Sequence, residues 1–222
     1  QLADLLWTPS PDGDEHLLAS GIPIERIDRV GNIMIDTLVS MLPTIEKNSN
    51  SQHFKLTPMT YSVVTLHRPS NVDVPVVLNQ LLDELIQLEP SLHVVWPMHP
   101  RTRARIIAIG RMDELIEHGI EISQPLGYVD FMSLVSNSRM VITDSGGIQE
   151  ETSWLGIPCL TLRPNTERPI TITEGTNRLI TPELFSVSVK QILENDIRKK
   201  VKIDLWDGKT AERCIASLKR FF

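Results

Sequence analysis

From residue 61 onward, short apolar runs alternate with longer segments in which apolar residues recur at helical spacing. This alternation is typical of a parallel β-sheet whose strands are connected by crossover helices. A helical bundle is disfavoured, because the apolar runs are too short and too rich in β-branched residues. We therefore predict a doubly wound α/β domain with strands at 62–66, 93–96, 121–123, 140–143, 159–162 and 178–180.

The segments between these runs carry helical patterns. After the first strand, Asp73 or a neighbouring residue is expected to cap a helix. The apolar positions of that helix are Val77, Leu78, Leu81, Leu82, Leu85 and Leu88. Further helices are predicted at 102–110, 130–136, 147–155 and 182–194.

The first 42 residues form a shorter α/β pattern of their own. Strands at 2–9 and 29–31 flank a predicted helix at 12–20, and another helix is predicted at 33–42. Such a piece cannot cover both edges of its own sheet, so it either packs on the following domain or is what remains of an earlier one. We favour the second interpretation, in which 1–42 is the remnant of a Rossmann-like first lobe.

The rest of the chain is divided by composition. Residues 43–58, rich in Asn, Ser and Thr, are predicted to link the remnant to a lobe at 59–207. Residues 208–222 are predicted to form a last helix whose apolar stripe packs on a domain core, and the core of the first lobe is one candidate. The stripe consists of Ala211, Cys214, Ile215, Leu218 and Phe222.

Composition excludes several classes of function. The formal net charge of −6 argues against nucleic-acid binding, which depends on clustered Lys and Arg. No apolar run approaches the roughly 18–20 residues that span a bilayer, so we expect no membrane partner. The two cysteines, Cys159 and Cys214, indicate neither a disulfide framework nor a metal site. A reducing, cytoplasmic setting is expected.

The segment 140–156 carries the strongest functional signal. An apolar strand leads into Ser145-Gly146-Gly147 and then directly into a predicted helix. Glycines let the backbone approach a ligand, and the first N–H groups of a helix favour an anion, so this turn predicts a phosphate site. Glu150 and Glu151 follow on the helix and suit the hydroxyls of a sugar. The combination indicates a nucleotide.

Other polar residues follow the predicted strands, at the edge where open α/β sheets bind ligands. Arg68 and Arg168 are candidates for phosphate binding, with Arg168 favoured. His67 either serves a diphosphate or a proton transfer, or is a structural histidine bonded to the backbone. Either Tyr128 or Phe131 could stack on a base or simply pack the helix. The remaining cluster is His99, Arg101, Arg103, Asp144 (predicted to be a turn or cap residue) and Arg163.

Five ordered blocks of this sequence resemble the non-hydrolysing UDP-N-acetylglucosamine 2-epimerases. The blocks are 65–73 (TLHRPSNVD), 97–103 (PMHPRTR), 125–128 (PLGY), 143–152 (TDSGGIQEET), and 166–169 (TERP) with 174–177 (EGTN). The opening segments 8–11 (TPSP) and 30–36 (VGNIMID) resemble the end of that family's first lobe. The resemblance implies a GT-B fold, in which two Rossmann-like lobes bind a nucleotide sugar between them, with the first lobe incomplete here.

The same resemblance implies the interconversion of UDP-N-acetylglucosamine and UDP-N-acetylmannosamine, through elimination and re-addition of UDP, without cofactor or metal. Carried over to this sequence, Ser145, Gly146 and Gly147 would hold the diphosphate. Glu151 would bind the ribose and Phe131 the uracil. His67, as the catalytic candidate, and Arg168 would line the reaction cleft near the phosphates. Full-length members are usually homodimers.

The family's acidic residues for proton abstraction at C2 come from the first lobe and find no counterpart here. We therefore expect this chain to bind nucleotide with little or no turnover, since removing a weakly acidic proton requires a positioned base. Two alternatives are the donor-binding lobe of a GT-B glycosyltransferase and a non-catalytic UDP-sugar sensor.

Overall fold

The computed structural model describes residues 3–48, 54–195, 198 and 201–222. Within these ranges the chain forms two parallel sheets. The strands are β1 (Leu6–Thr8), β2 (Ile27–Arg29), β3 (Tyr61–Thr65), β4 (His93–Pro97), β5 (Glu121–Ser123), β6 (Met140–Thr143), β7 (Cys159–Leu162) and β8 (Asn177–Ile180). β1 pairs with β2, and the other strands form one sheet in the order β5-β4-β3-β6-β7-β8.

Helices connect the strands on both faces of the larger sheet. They are α1 (Pro11–Ala19), α2 (Ile33–Lys47), α3 (Pro69–Val72), α4 (Pro75–Leu88), α5 (Pro100–Ala108), α6 (Met112–Glu117), α7 (Tyr128–Asn137), α8 (Gly146–Leu155), α9 (Ile170–Thr173), α10 (Phe185–Glu194) and α11 (Thr210–Phe221). Short 3₁₀ turns lie at Ile24–Arg26 and Pro182–Leu184. No helix within the described ranges is long and apolar enough to cross a membrane.

The strand order reverses between β3 and β6. The chain runs outward from β3 through β4 to β5, returns to β6 beside β3, and then runs outward again to β8. The register aligns Thr65 with Thr143, so the loops after these two strands leave the sheet side by side. Open α/β sheets bind ligands at such a switch point.

Two apolar clusters cover the two faces of the larger sheet. One contains the buried leucines of α4, including Leu78, Leu81 and Leu85, around Trp96. The other gathers Ile35 and Leu38 of α2 together with side chains of β3, β6 and α7. Helix α2, although it precedes β3 by many residues, therefore packs on the main sheet.

The prediction of a parallel α/β sheet is confirmed, and each predicted strand after residue 60 differs from the observed one by at most one residue at either end. The short helices α3, α6 and α9 were not predicted, because four to six residues contain too little of a helical period to detect. The strand predicted at 2–9 is observed only as β1 (Leu6–Thr8), and residue 2 lies outside the described ranges. The strand predicted at 29–31 lies two residues earlier, as β2 (Ile27–Arg29), which pairs with β1.

The helix predicted at 33–42 continues to Lys47, past Pro43 and into the range assigned to a linker. Ile45 is buried in the second apolar cluster, and this burial favours continuation of the helix beyond the proline. The rest of the predicted linker falls partly outside the described residues. The division into lobes stays a prediction.

The prediction that Asp73 or a neighbour caps the leucine-rich helix was wrong in its physical basis. Val74 precedes α4 without a side-chain cap, and Pro75 occupies the first turn. A proline there lacks an N–H group that would otherwise need a partner. Asp73 instead ends α3 and forms ion pairs with Arg101 and Arg105.

The apolar stripe of α11 is largely exposed within the described residues, and its packing on a core of the first lobe stays a prediction. Ile215, Leu218 and Phe222 are 58%, 45% and 95% exposed. The buried side of the helix is instead polar. The Trp7 indole N–H donates to the Ser217 hydroxyl at 2.8 Å, and Ser217 is buried, so hydrogen bonding selects the face of α11 that meets β1.

Candidate functional site

At the switch point, Asp144 joins the end of β6 to the loop after β3. Its carboxylate is fully buried and accepts the backbone N–H groups of His67 at 3.0 Å and Arg68 at 2.8 Å. The amide of Asn71 donates at 3.0 Å. Burial alone would raise the pKa of Asp144, but the hydrogen bonds from His67, Arg68 and Asn71 hold it below its ordinary value.

Asp144 was predicted to bond backbone N–H groups in its own turn or as a cap. It does bond backbone N–H groups, but they belong to His67 and Arg68 on a different loop. The cap position of α8 is Ser145, whose backbone N–H donates to the Thr143 hydroxyl at 2.9 Å. The role of Asp144 therefore depends on the pairing of β3 with β6, which no local pattern encodes.

The imidazole of His67 contacts the same Asp144 carboxylate. Its Nδ1 lies 3.0 Å from Asp144 Oδ1, and 41% of its side chain is exposed. The hydrogen bond to Asp144 raises the pKa of His67, which increases the imidazolium fraction near neutral pH. The structural alternative for His67 named a backbone carbonyl, whereas the observed partner is a carboxylate. The ring of His99 lies 5.7 Å away, centroid to centroid.

The two glycines at the start of α8 have different surroundings. A Cβ atom on Gly146 would lie 2.7 Å from Arg168 Nη1 and 2.9 Å from Glu167 Oε1. A Cβ on Gly147 would meet nothing within 4 Å. The absence of a side chain thus admits a guanidinium beside Gly146 and leaves open space beside Gly147. Since the first N–H groups of a helix have no partner within it, this space suits an anion.

Arg168 is the cation nearest to this turn. Its Nε lies 3.0 Å from Glu150 Oε2, and its Nη1 donates to Glu167 Oε1 at 2.7 Å. The Arg168 backbone N–H donates to the Thr166 hydroxyl at 3.1 Å, which fixes the loop after β7. Burial lowers the pKa of Arg168, but Glu150 and Glu167 more than offset this effect, and the guanidinium stays charged.

Arg68 contacts the residue that precedes the turn. Its Nε donates to the backbone carbonyl of Asp144 at 2.9 Å, which brings the guanidinium against the strand end that precedes Ser145. Arg101 pairs with Asp73. Arg103 donates to the Ser123 carbonyl at 3.4 Å, and Arg163 pairs with Glu167 at 2.7 Å. These last three arginines serve internal contacts.

Glu151 is 3% exposed and accepts a hydrogen bond from the Tyr128 hydroxyl. Burial raises the pKa of Glu151 to about 7, an effect that the Tyr128 hydrogen bond partly opposes and the neighbouring Glu150 reinforces. Near neutral pH this carboxyl is therefore poised between its neutral and charged forms. Tyr128 is thus bonded to an acid.

A cavity of about 220 Å³ lies in front of the turn. His67, Phe131 and Ser145 all line it, so three of the predicted site residues meet in one space. The other lining residues are Thr65, Pro97, His99, Pro125, Leu126 and Ile148. Of the two aromatic candidates, Phe131 is the one on this cavity, and its apolar neighbours suit a flat ring.

A larger cavity of about 540 Å³ lies between the first segment of the chain and the main domain. Thr8, Ser10 and His16 line one side, and Glu150 and Arg168 line the other. Arg168 thus faces the space between the two sheets. Among the residues that the structure describes, no group of three or more His, Cys, Asp or Glu side chains could hold a metal ion.

Sequence analysis missed the buried amides that support the site. Gln149 is fully buried, and its Oε1 accepts from the Thr166 hydroxyl at 2.7 Å and from Asn177 Nδ2 at 2.9 Å. Its Nε2 donates to the Ser145 carbonyl at 3.1 Å. The run of buried polar residues 149–153 in a helix between two largely apolar strands was the available signal for this network. The network locks the turn at the start of α8 to the loop that carries Arg168.

Comparison with known proteins identifies the fold and the family. The family model for UDP-N-acetylglucosamine 2-epimerase matches residues 1–219. The UDP-N-acetylglucosamine 2-epimerase of Methanococcus maripaludis is 35% identical over 203 residues, which are 88% of this chain and 56% of that protein. The enzyme of the same name from Methanocaldococcus jannaschii is 33% identical over 226 residues, covering 98% of this chain and 61% of that protein.

Solved structures agree. The Methanocaldococcus jannaschii UDP-GlcNAc 2-epimerase in complex with UDP-GlcNAc and UDP superposes with a TM-score of 0.87 at 33% identity, over 98% of this chain and 61% of that one. The Neisseria meningitidis enzyme bound to UDP-GlcNAc gives a TM-score of 0.85 at 26% identity, over 99% and 62%. This chain spans less than two thirds of the length of these relatives. It belongs to the UDP-N-acetylglucosamine 2-epimerase family.

Proposed function

We propose that this chain binds the uridine diphosphate part of UDP-N-acetylglucosamine and supplies the nucleotide-binding half of a 2-epimerase. The observation that carries the proposal is the turn at the start of α8, where Gly147 opens onto free space and Arg168 lies against Gly146. The relatives whose solved structures contain UDP-GlcNAc or UDP support the ligand class.

In this proposal, Ser145, Gly146 and Gly147 hold the diphosphate through the helix N-terminus. Arg168 and Arg68 approach the phosphates. A diphosphate attracts the guanidinium of Arg168 more strongly than the exposed carboxylate of Glu167 does, since it carries more charge and offers bidentate oxygens. Binding would therefore replace the Arg168–Glu167 contact while the contact with buried Glu150 remains.

The nucleoside would occupy the cavity of about 220 Å³. Phe131 offers an aromatic face to the uracil, and stacking on an aromatic ring contributes about 1–3 kcal/mol per base. Glu151, whose pKa is about 7, would bind the ribose hydroxyls. Either protonation state of this carboxyl can accept a hydrogen bond, and the charged state accepts two.

The proposed reaction breaks two bonds of the sugar. A base removes the C2 proton, and the electron pair of the C1–O bond leaves with UDP, which gives a 2-acetamidoglucal. Re-addition of UDP to C1 and of a proton to the other face of C2 completes the epimerisation. Negative charge develops on the departing phosphate, where imidazolium His67, Arg168 and the start of α8 would stabilise it.

The carboxylates of the described cleft are poor candidates for that base. Glu150 accepts a hydrogen bond from Asn32 through one oxygen and forms an ion pair with Arg168 through the other, and Glu151 is held by Tyr128. We therefore propose that this chain by itself binds UDP-sugars and turns them over slowly or not at all. In the full-length relatives the base would come from the first lobe, as the family resemblance implies.

Calorimetric titration with UDP, and incubation with UDP-N-acetylglucosamine followed by separation of the products, test the proposal together. Saturable UDP binding with little product supports it. An epimer in the tube would show that the base lies within this chain. Sugar transferred to an acceptor would favour a glycosyltransferase. Unchanged UDP-sugar together with UDP binding is expected both for the proposed function and for a non-catalytic sensor. A folded sample without any response to UDP would overturn the proposal.

A further inference from the structure

Asn32, in the segment 30–36 that resembles the family but has no role in the site above, reaches that site. The residue is 4% exposed and stands at the start of α2. Its Oδ1 accepts the backbone N–H of Met34 at 2.9 Å and so caps the helix. Its Nδ2 donates to Glu150 Oε1 at 2.8 Å, across a sequence separation of 118 residues.

Glu150 connects Asn32 to Arg168, which lies beside the turn at the start of α8. The residue is 6% exposed, and the oxygen that Asn32 does not occupy lies 3.0 Å from Arg168 Nε. Burial raises the pKa of Glu150, while Arg168 and Asn32 act in the opposite direction. With one oxygen facing each partner, Glu150 is held between Asn32 and Arg168. Glu150 is therefore a connector between Asn32 and Arg168.

We propose that Asn32 is a positioning residue for phosphate binding, which acts through Glu150 to hold the Arg168 guanidinium beside Gly146. The inference rests on the proposed function, because it takes the ligand of Arg168 to be a diphosphate. Asn32 itself touches no part of the phosphate turn in the chain of contacts described.

The two edges of the Arg168 guanidinium have different partners, and this difference explains the proposed effect of Asn32. Asn32 occupies Oε1 of Glu150, so Glu150 meets Arg168 through a single oxygen at Nε. The Nη edge then projects toward Gly146, where the exposed Glu167 is its partner. Without the amide donor, both oxygens of Glu150 become free to pair with Arg168, since the bidentate fork is the stronger arrangement. That pairing would draw the Nη edge away from the phosphate position.

The position of Asn32 is fixed by contacts that do not involve the phosphate turn. The preceding residue, Gly31, has φ +95°, and a Cβ there would lie 2.3 Å from the Leu205 carbonyl oxygen. Only glycine fits this conformation and this close approach. On the next turn of α2, the Asp36 carboxylate accepts the backbone N–H groups of Thr210 at 3.0 Å and Ala211 at 2.8 Å. Asn32 therefore has a rigid base from which to act.

The test uses Asn32→Ser, measured against UDP and against uridine. Serine caps a helix as well as asparagine does but is too short to reach Glu150, so α2 keeps its cap while the connection is lost. We expect UDP to bind about tenfold more weakly, as for the loss of a hydrogen bond to a charged group. Uridine, which lacks phosphates, should bind as before. Asn32→Thr likewise caps α2 and is too short to reach Glu150, so it should show the same selective loss should the serine variant fail to fold.

Two controls separate positioning from general destabilisation. Asp36→Asn weakens the contact between α2 and the start of α11 without touching Glu150. It should therefore lower stability and leave the ratio of UDP to uridine affinity unchanged. In a Glu150→Gln background, Asn32→Ser should have no further effect on that ratio, because the connector is already altered.

The outcomes are distinguishable. If the wild-type chain binds no UDP, the proposed function fails and this inference fails with it. If the wild type binds UDP and both Asn32 variants keep its UDP-to-uridine ratio, the proposed function stands and the inference is overturned. Equal weakening of UDP and uridine would also overturn it, because that pattern indicates a merely structural role.

Discussion

At the scale of single residues, Asp144 links structure to chemistry because one buried carboxylate both ties two loops together and sets the charge of His67. Asp144→Asn removes the charge and points an amide at N–H donors, which leaves buried donors without a partner. We expect the free energy of unfolding to fall by about 1–3 kcal/mol, in chemical denaturation. The His67 pKa, followed by NMR, should fall toward its ordinary value, since the hydrogen bond to Asp144 is what raises it.

Asp73→Asn is the matched control for Asp144. Asp73 carries two arginine partners but lies near the surface, where solvent and salt screen ion pairs and they contribute little to stability. Its replacement should change stability little and leave the His67 titration unaltered. Equal effects of the two variants on stability and on His67 would contradict the assigned role of Asp144.

At the scale of elements, a substitution in the first turn of α8 can change UDP binding without lowering stability. Gly147→Ala places a methyl group in open space, and alanine favours a helix over glycine by up to about 1 kcal/mol. The variant should therefore be as stable as the wild type or more so in thermal unfolding. UDP affinity should fall at least about tenfold, because the methyl group occupies the proposed phosphate position. Unchanged UDP affinity in this variant would exclude Gly147 from the phosphate site.

The elements also show what the sequence could and could not predict. The strand 159–162 is a short, largely apolar run and was predicted with its observed bounds, and the Ser145-Gly146-Gly147 turn follows from local chemistry. The partners of Asp144 lie more than 70 residues away, so only the pairing of β3 with β6 brings them together. The contact of α11 with β1 could not be predicted, because Trp7 and Ser217 form a polar contact that apolar periodicity does not register.

At the scale of the whole molecule, four groups give stability the same dependence on pH, and one of them is Glu150, whose pKa burial raises. Burial raises the pKa of Glu151 to about 7, and Asp144 raises that of His67. At the start of β4, burial lowers the pKa of His93. Glu89 at 2.7 Å and Glu121 at 3.1 Å more than offset this effect and raise the pKa of His93. Each group binds protons more tightly in the folded state.

The folded state therefore carries more protons than the unfolded state in this range, and the free energy of unfolding should fall as pH rises from 5 to 8. Glu151 contributes between its unfolded value of 4.5 and about 7, and the histidines contribute above 6.5. Denaturant unfolding at several pH values checks this trend. Glu151→Gln should flatten the curve below pH 7, by on the order of 1–3 kcal/mol in total. A wild-type curve that rises across the whole range would contradict these assignments.

The position of the diphosphate in a crystal structure of this chain with UDP tests the central claim most directly. The account predicts phosphate oxygens within hydrogen-bonding distance of the Gly146 and Gly147 N–H groups, Arg168 turned from Glu167 to the phosphates, and the uracil against Phe131. UDP bound elsewhere, with the start of α8 unoccupied and Arg168 still on Glu167, would contradict it.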